Sequence, residues 1–314
     1  MRRGLARYGI LVLLAIFAVE GTGCGKRGEK AAKTPLFRIK QNGKWGFINK
    51  RGTVIIEPRF DHAYSFSEGL AAVRIGPKRG YIDETGKLVI KPQFDYAWPF
   101  SEGMAGVAIG ELGAWKFGYI NKAGKIIVDP QFDMTGDFNG GLATVNRGGH
   151  YVKNEGWQGG KWGYIDKTGK LVIALQFDGC TWFDDGLAGA SVDGEWGYID
   201  ETGNWVINPQ FTEAGGFNEG VAPAQVQSGK FGYIDRKGRW VINPRFDGAG
   251  VFSEGLAAVE ISGRWGYINR AREWVIYPQF EEARIFLNGL ARVFTDGKFG
   301  YIDKTGEYVW EPSE

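Results

Sequence analysis

The sequence predicts an all-β protein, and its composition already excludes two other classes. Aromatic residues are abundant, with 12 Trp, 13 Tyr and 21 Phe, which excludes an aromatic-poor disordered chain. Glycine makes up 50 of 314 residues beside only 11 prolines, without the three-residue period and the high proline content of collagen. Glycine combined with aromatic and β-branched residues indicates many short strands joined by tight turns.

The body of the chain is one unit repeated eight times, which is the strongest observation for this class. The segment that starts at Lys44 returns with changes, and its central glycine recurs at steps of 34, 38, 45, 34, 35, 34 and 34 residues. These glycines are Gly46, Gly80, Gly118, Gly163, Gly197, Gly232, Gly266 and Gly300. We therefore expect one domain of stacked copies rather than two unrelated domains.

Each copy starts with two strands. Residues 70–73 (LAAV) are typical of a first strand and residues 161–166 (KWGYID) of a second. With a period of two, Trp162 and Tyr164 share one face of the second strand, while Gly163 lies on the other. Glycine weakens a strand unless another group comes close, so we expect a neighbouring repeat to pack against Gly163.

A turn and a third strand follow. Asp83 and Gly86 fit a type I turn whose last residue accepts positive φ, the chemistry of a hairpin with a bulge. Arg272 replaces this glycine in copy seven, which predicts a strained or a rebuilt turn there. Residues 89–92 (VIKP) are typical of a third strand, and we expect Pro92 to end it because proline has no N–H to donate.

The segment after the proline carries two phenylalanines, Phe94 and Phe100 in copy two. Each stabilises the core by about 1.5–3 kcal/mol when fully buried. This segment forms either a short fourth strand or a packed turn. Eight antiparallel three- to four-stranded repeats can close into a propeller-like ring or stack as an open β-solenoid. We favour the ring, because closure removes exposed strand edges and neither end resembles a polar capping repeat.

The first 23 residues are typical of an export signal. Three arginines precede an apolar run at residues 8–19, and small residues then lead to Cys24. This run is shorter than the roughly 20 residues of a transmembrane helix. The arrangement resembles the lipobox of bacterial lipoproteins, although Gly21 stands where leucine is usual.

The lipobox resemblance predicts the order of the chain. We expect a lipoprotein-type signal peptide at 1–23, an acylated Cys24 with a flexible tether at 24–35, and a repeat domain at 36–314. Gly25 is not the aspartate that retains such lipoproteins at an inner membrane. The resemblance therefore implies an exported protein anchored in the bacterial cell envelope, at the outer membrane or the cell surface.

The repeat itself resembles a known family. Four copies carry tryptophan before the central glycine, at Trp45, Trp162, Trp196 and Trp265, and three carry phenylalanine, at Phe117, Phe231 and Phe299. Copy two departs most, with Arg79 in this place. This pattern resembles the WG-repeat (KWG-repeat) family of bacterial proteins over residues 36–312. The resemblance implies a scaffold and carries little about activity.

Charge and residue types argue against nucleic-acid binding and catalysis. The chain carries 38 basic and 36 acidic side chains, and the excess lies in the signal, so the body is neutral and has no footprint for phosphate backbones. Cys180 falls in a column of small residues and has no histidine predicted beside it. Carboxylates such as Glu68 recur once per turn and are too dispersed for a calcium loop. We expect no enzyme activity, no metal and no cofactor.

Two copies carry insertions between their first and second strands. Four extra residues lie around 108–115 in copy three and eleven around 146–160 in copy four. Because the copies are adjacent, we expect both loops on one face, where repeat scaffolds often build binding sites. The candidate binding residues, rich in types found at binding hot spots, are Glu111, Trp115, Arg147, His150, Tyr151 and Trp157.

The sequence therefore predicts a non-catalytic envelope lipoprotein whose repeat scaffold binds another protein, an envelope protein above all. Two alternatives remain open. Trp115, Trp157 and Tyr151 also suit stacking against sugar rings, which would make the domain a module for cell-wall or other glycans. The protein could also be a purely structural surface component. Membrane contact is expected through the lipid anchor and nucleic acid is not expected as a partner.

Overall fold

The computed structural model describes residues 35–111, 113–152 and 156–313. This part of the chain forms strands and turns with no helix, as the composition predicts. The strands make eight small antiparallel sheets. The predicted signal peptide, Cys24 and nearly all of the predicted tether lie outside the described residues.

The strands are numbered in chain order. The first sixteen are β1 Leu36–Gln41, β2 Lys44–Asn49, β3 Val54–Phe60, β4 His62–Ala63, β5 Leu70–Ile75, β6 Lys78–Asp83, β7 Leu88–Phe94, β8 Tyr96–Ala97, β9 Met104–Ile109, β10 Lys116–Asn121, β11 Ile126–Phe132, β12 Met134–Asn139, β13 Leu142–Val152, β14 Gly156–Asp166, β15 Leu171–Phe177 and β16 Gly179–Cys180. The others are β17 Ala188–Val192, β18 Glu195–Ile199, β19 Trp205–Phe211, β20 Glu213–Ala214, β21 Val221–Gln225, β22 Phe231–Asp235, β23 Trp240–Phe246, β24 Gly248–Ala249, β25 Leu256–Ile261, β26 Arg264–Asn269, β27 Trp274–Phe280, β28 Glu282–Ala283, β29 Ala291–Thr295, β30 Lys298–Ile302 and β31 Tyr308–Ser313.

Each sheet is one blade of an eight-bladed propeller. Blade 1 is β1-β2-β3, and each later blade adds a strand at the inner edge, as in β4-β5-β6-β7 of blade 2. This added strand has two residues in six blades and six residues in blade 4. The segment after the proline therefore supplies the inner strand of the next blade, which decides between the two predicted alternatives. The third strand lies at the outer edge, where alternate side chains are exposed.

Two details of the predicted strands were wrong. The third strand does not end at its proline but continues two residues further, to Phe94 in β7; an outer edge needs no N–H from Pro92. The group that approaches the central glycine is not a neighbouring repeat but the third strand of the same sheet. A Cβ at Gly80 would lie 2.3 Å from the carbonyl oxygen of Ile90, where the register shifts at a bulge.

The predicted turns are confirmed. In copy two, the N–H of Gly86 donates to the carbonyl oxygen of Asp83 at 2.9 Å, and one carboxylate oxygen of Asp83 accepts from the N–H groups of Thr85 and Lys87. Gly86 has φ of 84°, and Arg272 in copy seven is held at 70°. Copy seven thus keeps the same turn, with a non-glycine residue in the left-handed region.

Apolar clusters between blades show that the ring is closed. Eight clusters of buried residues each join two neighbouring blades among the described residues. An open stack of eight sheets has only seven such interfaces. The eighth joins blade 1 to blade 8 through Phe37, Ile39, Leu290 and Tyr301, so the predicted ring is confirmed and the open solenoid is wrong.

Blade 1 has three strands among the described residues, and large side chains of its first strand reach both neighbouring blades. Seven copies have alanine at one position of the first strand, whereas copy one has Phe37, which packs on Tyr301 of blade 8 with ring centroids 5.4 Å apart. The next residue, Arg38, is 7% exposed and donates from Nη1 to the carbonyl oxygen of Ala63 in blade 2, at 2.9 Å. Two large side chains of β1 thus contact the blades on either side of blade 1.

A tyrosine and a phenylalanine hold each pair of later blades together. Tyr233 in blade 6 donates its hydroxyl hydrogen to the carbonyl oxygen of Gly250 at 2.7 Å, and its ring lies 5.0 Å from that of Phe252. The same pair recurs from blade to blade, for example Tyr81 with Phe100 at 4.8 Å. The second phenylalanine of the repeat is therefore a core anchor between blades, as predicted.

Candidate functional site

The two faces of the ring carry different connections. Because the strands are antiparallel, turns between first and second strands lie on one face, which we call the hairpin face. The Asp-x-x-Gly turns and the Glu-Gly turns lie on the opposite face. Both insertions belong to connections of the hairpin face, as the sequence predicts.

The longer insertion is an arm rather than a loop. β13 and β14 are 11 residues long, against five or six in the corresponding strands of other blades. The ladder extends through the pairs His150↔Gln158 and Tyr151↔Trp157. Residues 147–152 and 156–160 therefore form a two-stranded arm that extends blade 4 beyond the hairpin face.

Glycines at the base of the arm bend the ladder. Register skips from Arg147↔Lys161 to Gly149↔Gly159, and the two residues between, Gly148 and Gly160, have φ of 83° and 74°. A Cβ at Gly160 would lie 2.4 Å from the backbone nitrogen of Gly149. Only glycine fits this bulge, so the sequence of the arm specifies its bend.

The structure brings some of the predicted binding residues together. Tyr151 is half-buried, and its Cδ1 lies 3.8 Å from where a Cβ of Gly113 would be, so the arm touches the shorter insertion. Glu111 and His150 are exposed. Trp157 lies opposite Tyr151 in the ladder, while its side chain is outside the described part of the structure.

The other predicted residues lie on either side of this contact. Arg147 is exposed and donates from Nη2 to Oε1 of Gln131 at 2.5 Å, with its guanidinium 5.1 Å from the ring of Phe132. It is therefore tied to the outer strand of blade 3. Trp115 points the other way, with its ring centroid 5.4 Å from that of Tyr96 on the inner strand.

The inner strands of blades 2 and 3 hold an aromatic group that sequence reasoning missed. A ninth apolar cluster, beyond the eight between blades, lies here. The hydroxyls of Tyr64 and Tyr96 are 2.5 Å apart, and the ring of Trp98 is 4.7 Å from that of Tyr96. The guanidinium carbon of Arg79 stands 3.8 Å over the Tyr96 ring. We call the following residues the blade 2–3 cluster: Tyr64, Arg79, Tyr96, Trp98, Trp115 and Phe117.

The scaffold does not require these aromatic residues. The positions on either side of the small residue of the short strand are His62 and Tyr64 in copy two, and Tyr96 and Trp98 in copy three. The equivalent positions in later copies include five glycines: Gly136, Gly179, Gly215, Gly248 and Gly250. Comparing these columns would have found the cluster from the sequence, because an aromatic residue where other copies accept glycine is not a packing requirement.

Burial and nearby positive charges in this region lower the pKa of a histidine, His62. Burial, and after it the charges of Arg79, Arg38 and Arg74, lowers the pKa of His62 to about 4. The imidazole is therefore neutral at physiological pH, and the positive charge around it comes from guanidinium groups. Cation–π contact with Tyr96 stabilises Arg79 by about 0.5–2 kcal/mol.

Elsewhere on the hairpin face, ion pairs join neighbouring blades. Lys44 Nζ lies 2.6 Å from an oxygen of Asp61, whose second oxygen accepts from the N–H of Gly76 at 2.7 Å. The bond from Lys44 and then that from Gly76 lower the pKa of Asp61. The same spacing recurs in the pairs Lys78–Asp95, Lys116–Asp133, Lys161–Asp178 and Lys230–Asp247. These charges serve the scaffold.

The Glu-Gly carboxylates on the opposite face also join blades. Glu254 accepts from the N–H of Gly289 at 3.0 Å and lies 3.1 Å from Nζ of Lys304, both in blade 8. Among the described residues no group of three or more His, Cys, Asp or Glu side chains could hold a metal ion. The repeated carboxylate is therefore explained by blade packing.

Cys180 lies in the short strand of blade 5, in the predicted column of small residues. Burial raises the pKa of its thiol to about 12, and a hydrogen bond with Tyr164 opposes this only in part. A thiol with such a pKa is a poor nucleophile at neutral pH.

Within the described part of the chain, no helix is long and apolar enough to cross a membrane.

Repeated blades with this sequence pattern define a class of β-propellers built from one short motif. The chain belongs to the WG containing repeat family, which matches residues 45–78, 80–112, 117–151, 162–196, 196–230, 231–265 and 265–299. The resemblance noted in the sequence is thereby confirmed. The match covers seven of the eight copies that the sequence and the structure show.

Several solved structures are similar in fold. PorZ, described as an essential bacterial surface component of the type-IX secretion system of Porphyromonas gingivalis, is 10% identical, with a TM-score of 0.49 over 82% of this chain and 38% of that one. BamB from Moraxella catarrhalis is 12% identical, with a TM-score of 0.48 over 86% of this chain and 94% of that one. The chain thus spans well under half of the PorZ structure. No curated protein matches the chain.

Proposed function

We propose that this protein is a non-catalytic lipoprotein of the bacterial envelope whose propeller binds another envelope protein through its hairpin face. The contact of Tyr151 with the loop at Gly113 carries this proposal. It unites the two insertions, from adjacent blades, into one raised surface next to Trp115. Insertions that meet on one face of a repeat scaffold are a common way to build a binding site.

The residue types of this surface favour a protein partner. Tyrosine, tryptophan and arginine are enriched at the centres of protein interfaces, and Trp115, Tyr151 and Arg147 all lie on or beside the arm. The arm adds two strand edges to this surface, and an extended segment of a partner can pair with such an edge. A rigid ring with a protruding arm suits an adaptor.

The experiment is in-cell crosslinking followed by affinity capture of the full chain. The arm, residues 147–160, is replaced by a two-residue turn such as the one at Ser262-Gly263 of blade 7. The clusters that join blade 4 to its neighbours contain no residue of 147–160, so the shortened variant should fold with nearly the same melting temperature. We expect one specific partner with the native chain and its loss with the shortened variant.

A matched control changes a distant, exposed arginine of the outer strand, Arg245→Gln in blade 6. Equal capture by native and shortened chains overturns the arm as the binding surface. Retention of the native chain on cell-wall glycan, lost on Trp157→Ala and without any protein partner, overturns the protein adaptor in favour of the glycan module. If the native chain captures no protein partner and is not retained on glycan, the structural alternative is favoured.

The envelope location rests on the sequence alone and has its own test. Cys24 is the predicted site of acylation, with the apolar run at 8–19 before it. Radiolabelled palmitate should label the native chain, and Cys24→Ser should abolish the label and release the protein from the membrane fraction. Membrane retention of the unlabelled Cys24→Ser variant contradicts the lipid anchor.

A further inference from the structure

At the ladder position just before the central glycine, blade 2 pairs two like charges, and no other described blade does so at this position. Arg74 in the first strand and Arg79 in the second are direct partners in the ladder. Like charges directly opposite each other destabilise an antiparallel pair. Each corresponding pair in the other blades contains an aromatic residue and no pair of like charges, as in Ser191 with Trp196 and Ala108 with Phe117.

Neither of these two charges forms an ion pair within the described part of the chain. Among the residues that the structure describes, no acidic oxygen lies within 4.0 Å of Arg74 or Arg79. Asp61 is already bonded to Lys44 and to the N–H of Gly76. Arg38, in contact with blade 2, and the neutral His62 add no negative charge. In a body that is neutral as a whole, this corner of the hairpin face is strongly positive.

Arg79 also lacks hydrogen-bond acceptors for part of its guanidinium group among the described residues. Its Nε and Nη1 atoms are buried without a hydrogen-bond acceptor among the described residues, and the rings of Tyr64 and Tyr96 lie against the guanidinium. A buried guanidinium without an acceptor costs stability. Seven copies avoid that cost with tryptophan or phenylalanine at this position, so packing does not explain the arginine of copy two.

The aromatic side chains around Arg79 distinguish between possible ligands. Rings of the blade 2–3 cluster are set at steep angles to one another, 49° between Tyr96 and Trp115 and 62° between Tyr96 and Trp98. They form no flat row on which successive sugar rings could stack. Half-buried aromatic edges beside two guanidinium groups suit acidic side chains flanked by apolar ones.

We infer that Arg74, Arg79 and the blade 2–3 cluster form the docking surface for an acidic peptide segment of the partner. This inference rests on the proposed function and names the chemistry by which the partner is recognised. Carboxylates of the segment pair with the two guanidinium groups, and its apolar side chains pack on Tyr96 and Trp115. Trp115 links this surface to the arm, so one partner contacts both.

The test is selection of random dodecapeptides displayed on phage against the full chain. Peptides selected on the native protein should be enriched in Asp and Glu over the starting library. One such peptide, made synthetically, should bind about tenfold or more weakly to Arg79→Gln and to Arg74→Gln. Its binding should also weaken as salt is raised, because the charges are partly exposed.

Two further variants keep the result interpretable. Arg79→Phe introduces the residue of copies three, six and eight, so the fold should persist while peptide binding is lost. Arg245→Gln removes one charge from blade 6 and should leave binding unchanged. Selected peptides without acidic enrichment, or equal binding to Arg79→Gln and the native chain, overturn the inference.

The same selection separates this inference from the proposed function. Peptides that are lost with the shortened arm but unaffected by Arg79→Gln would leave the adaptor standing and overturn the acidic segment. If the native chain selects no peptide above background, the acidic segment is overturned, and the crosslinking experiment then decides on the adaptor separately.

Discussion

The ring of Phe37 packs edge-on against the ring of Tyr301, with centroids 5.4 Å apart and planes at 66°. This contact joins the first copy to the last. Many propellers need a strand from one end of the chain to complete a blade made by the other end. Here all described strands of blade 1 are consecutive, and side chains at the interface with blade 8 make the closure.

Removing the Phe37 ring should open the propeller at this seam. Phe37→Ala deletes a side chain that is 7% exposed, which typically costs about 3–5 kcal/mol of unfolding free energy. We expect amides of β1 and β31 to exchange faster in hydrogen-exchange mass spectrometry. Phe100→Ala, at the interface of blades 2 and 3, is the matched control. Equal exchange of β1 in both variants contradicts closure through Phe37.

Loss of one tyrosine hydroxyl between blades should be measurable. Tyr233→Phe leaves the carbonyl of Gly250 without the hydrogen bond that it accepts at 2.7 Å, so we expect a loss of about 1–3 kcal/mol in urea unfolding. Tyr277 is 72% exposed on an outer strand, and Tyr277→Phe should change stability by less than about 0.5 kcal/mol. Similar losses from both variants contradict the role of the hydroxyl.

Stability should fall as pH rises through the titration of Asp137. Burial raises the pKa of this carboxyl to about 7, from an ordinary value of 3.8. The folded state therefore binds the proton more tightly than the unfolded state, and this stabilisation is full below about pH 4 and lost as pH rises through 7. Asp137→Asn should raise the melting temperature at pH 8 more than at pH 4.5.

Asp166 provides a control of opposite sign. A hydrogen bond from Thr168 lowers the pKa of this turn carboxylate, so its contribution is present above pH 4 and is lost as pH falls. Asn occupies the same turn position in copies one, three and seven, so Asp166→Asn keeps the fold. It should lower stability at pH 8 and hardly at pH 3. The same pH profile for both variants contradicts the assignment.

The thiol of Cys180 should be unreactive in the folded protein. Because burial raises its pKa to about 12, almost no thiolate exists at pH 8. In a Cys24→Ser background, Ellman's reagent should not react with the native chain and should react fully in guanidinium chloride. Rapid reaction of the native chain would show an accessible thiolate. Cys180→Ala, which introduces the residue of most other copies, is the blank.

Much of the fold can be predicted from the repeat, because the eight copies share the same strand pattern, turn residues and apolar positions. The turn at Asp83 and Gly86, the strand pattern around Gly163 and the burial of Phe100 all follow from short-range rules. The path of the chain after Pro92 does not follow from such rules. A proline would end a central strand, but it can lie within a strand at the outer edge of a sheet, where its missing N–H is not needed. The surroundings of Gly80 also depend on a bulge in a paired strand.

The sequence predicted only part of the candidate site. Extra length revealed the insertions, and the contact of Tyr151 with the loop at Gly113 agrees with the prediction that they share a face. The cluster of Tyr64, Arg79 and Tyr96 was missed. Arg79 departs from its column in the sequence, but its position over the ring of Tyr96 depends on the packing of two neighbouring blades.

The sequence by itself determined the unit of this protein: its strands, turns and anchors, its number of copies and the length of its arm. These features depend on contacts between residues that lie within about 35 positions of each other in the chain, and the sequence repeats the same pattern eight times. Only the tertiary structure decided that the ring closes through Phe37 and Tyr301, and that Arg79 lies over the ring of Tyr96 from the next blade. Such contacts join copies, and their free energy depends on how whole sheets pack rather than on any local pattern.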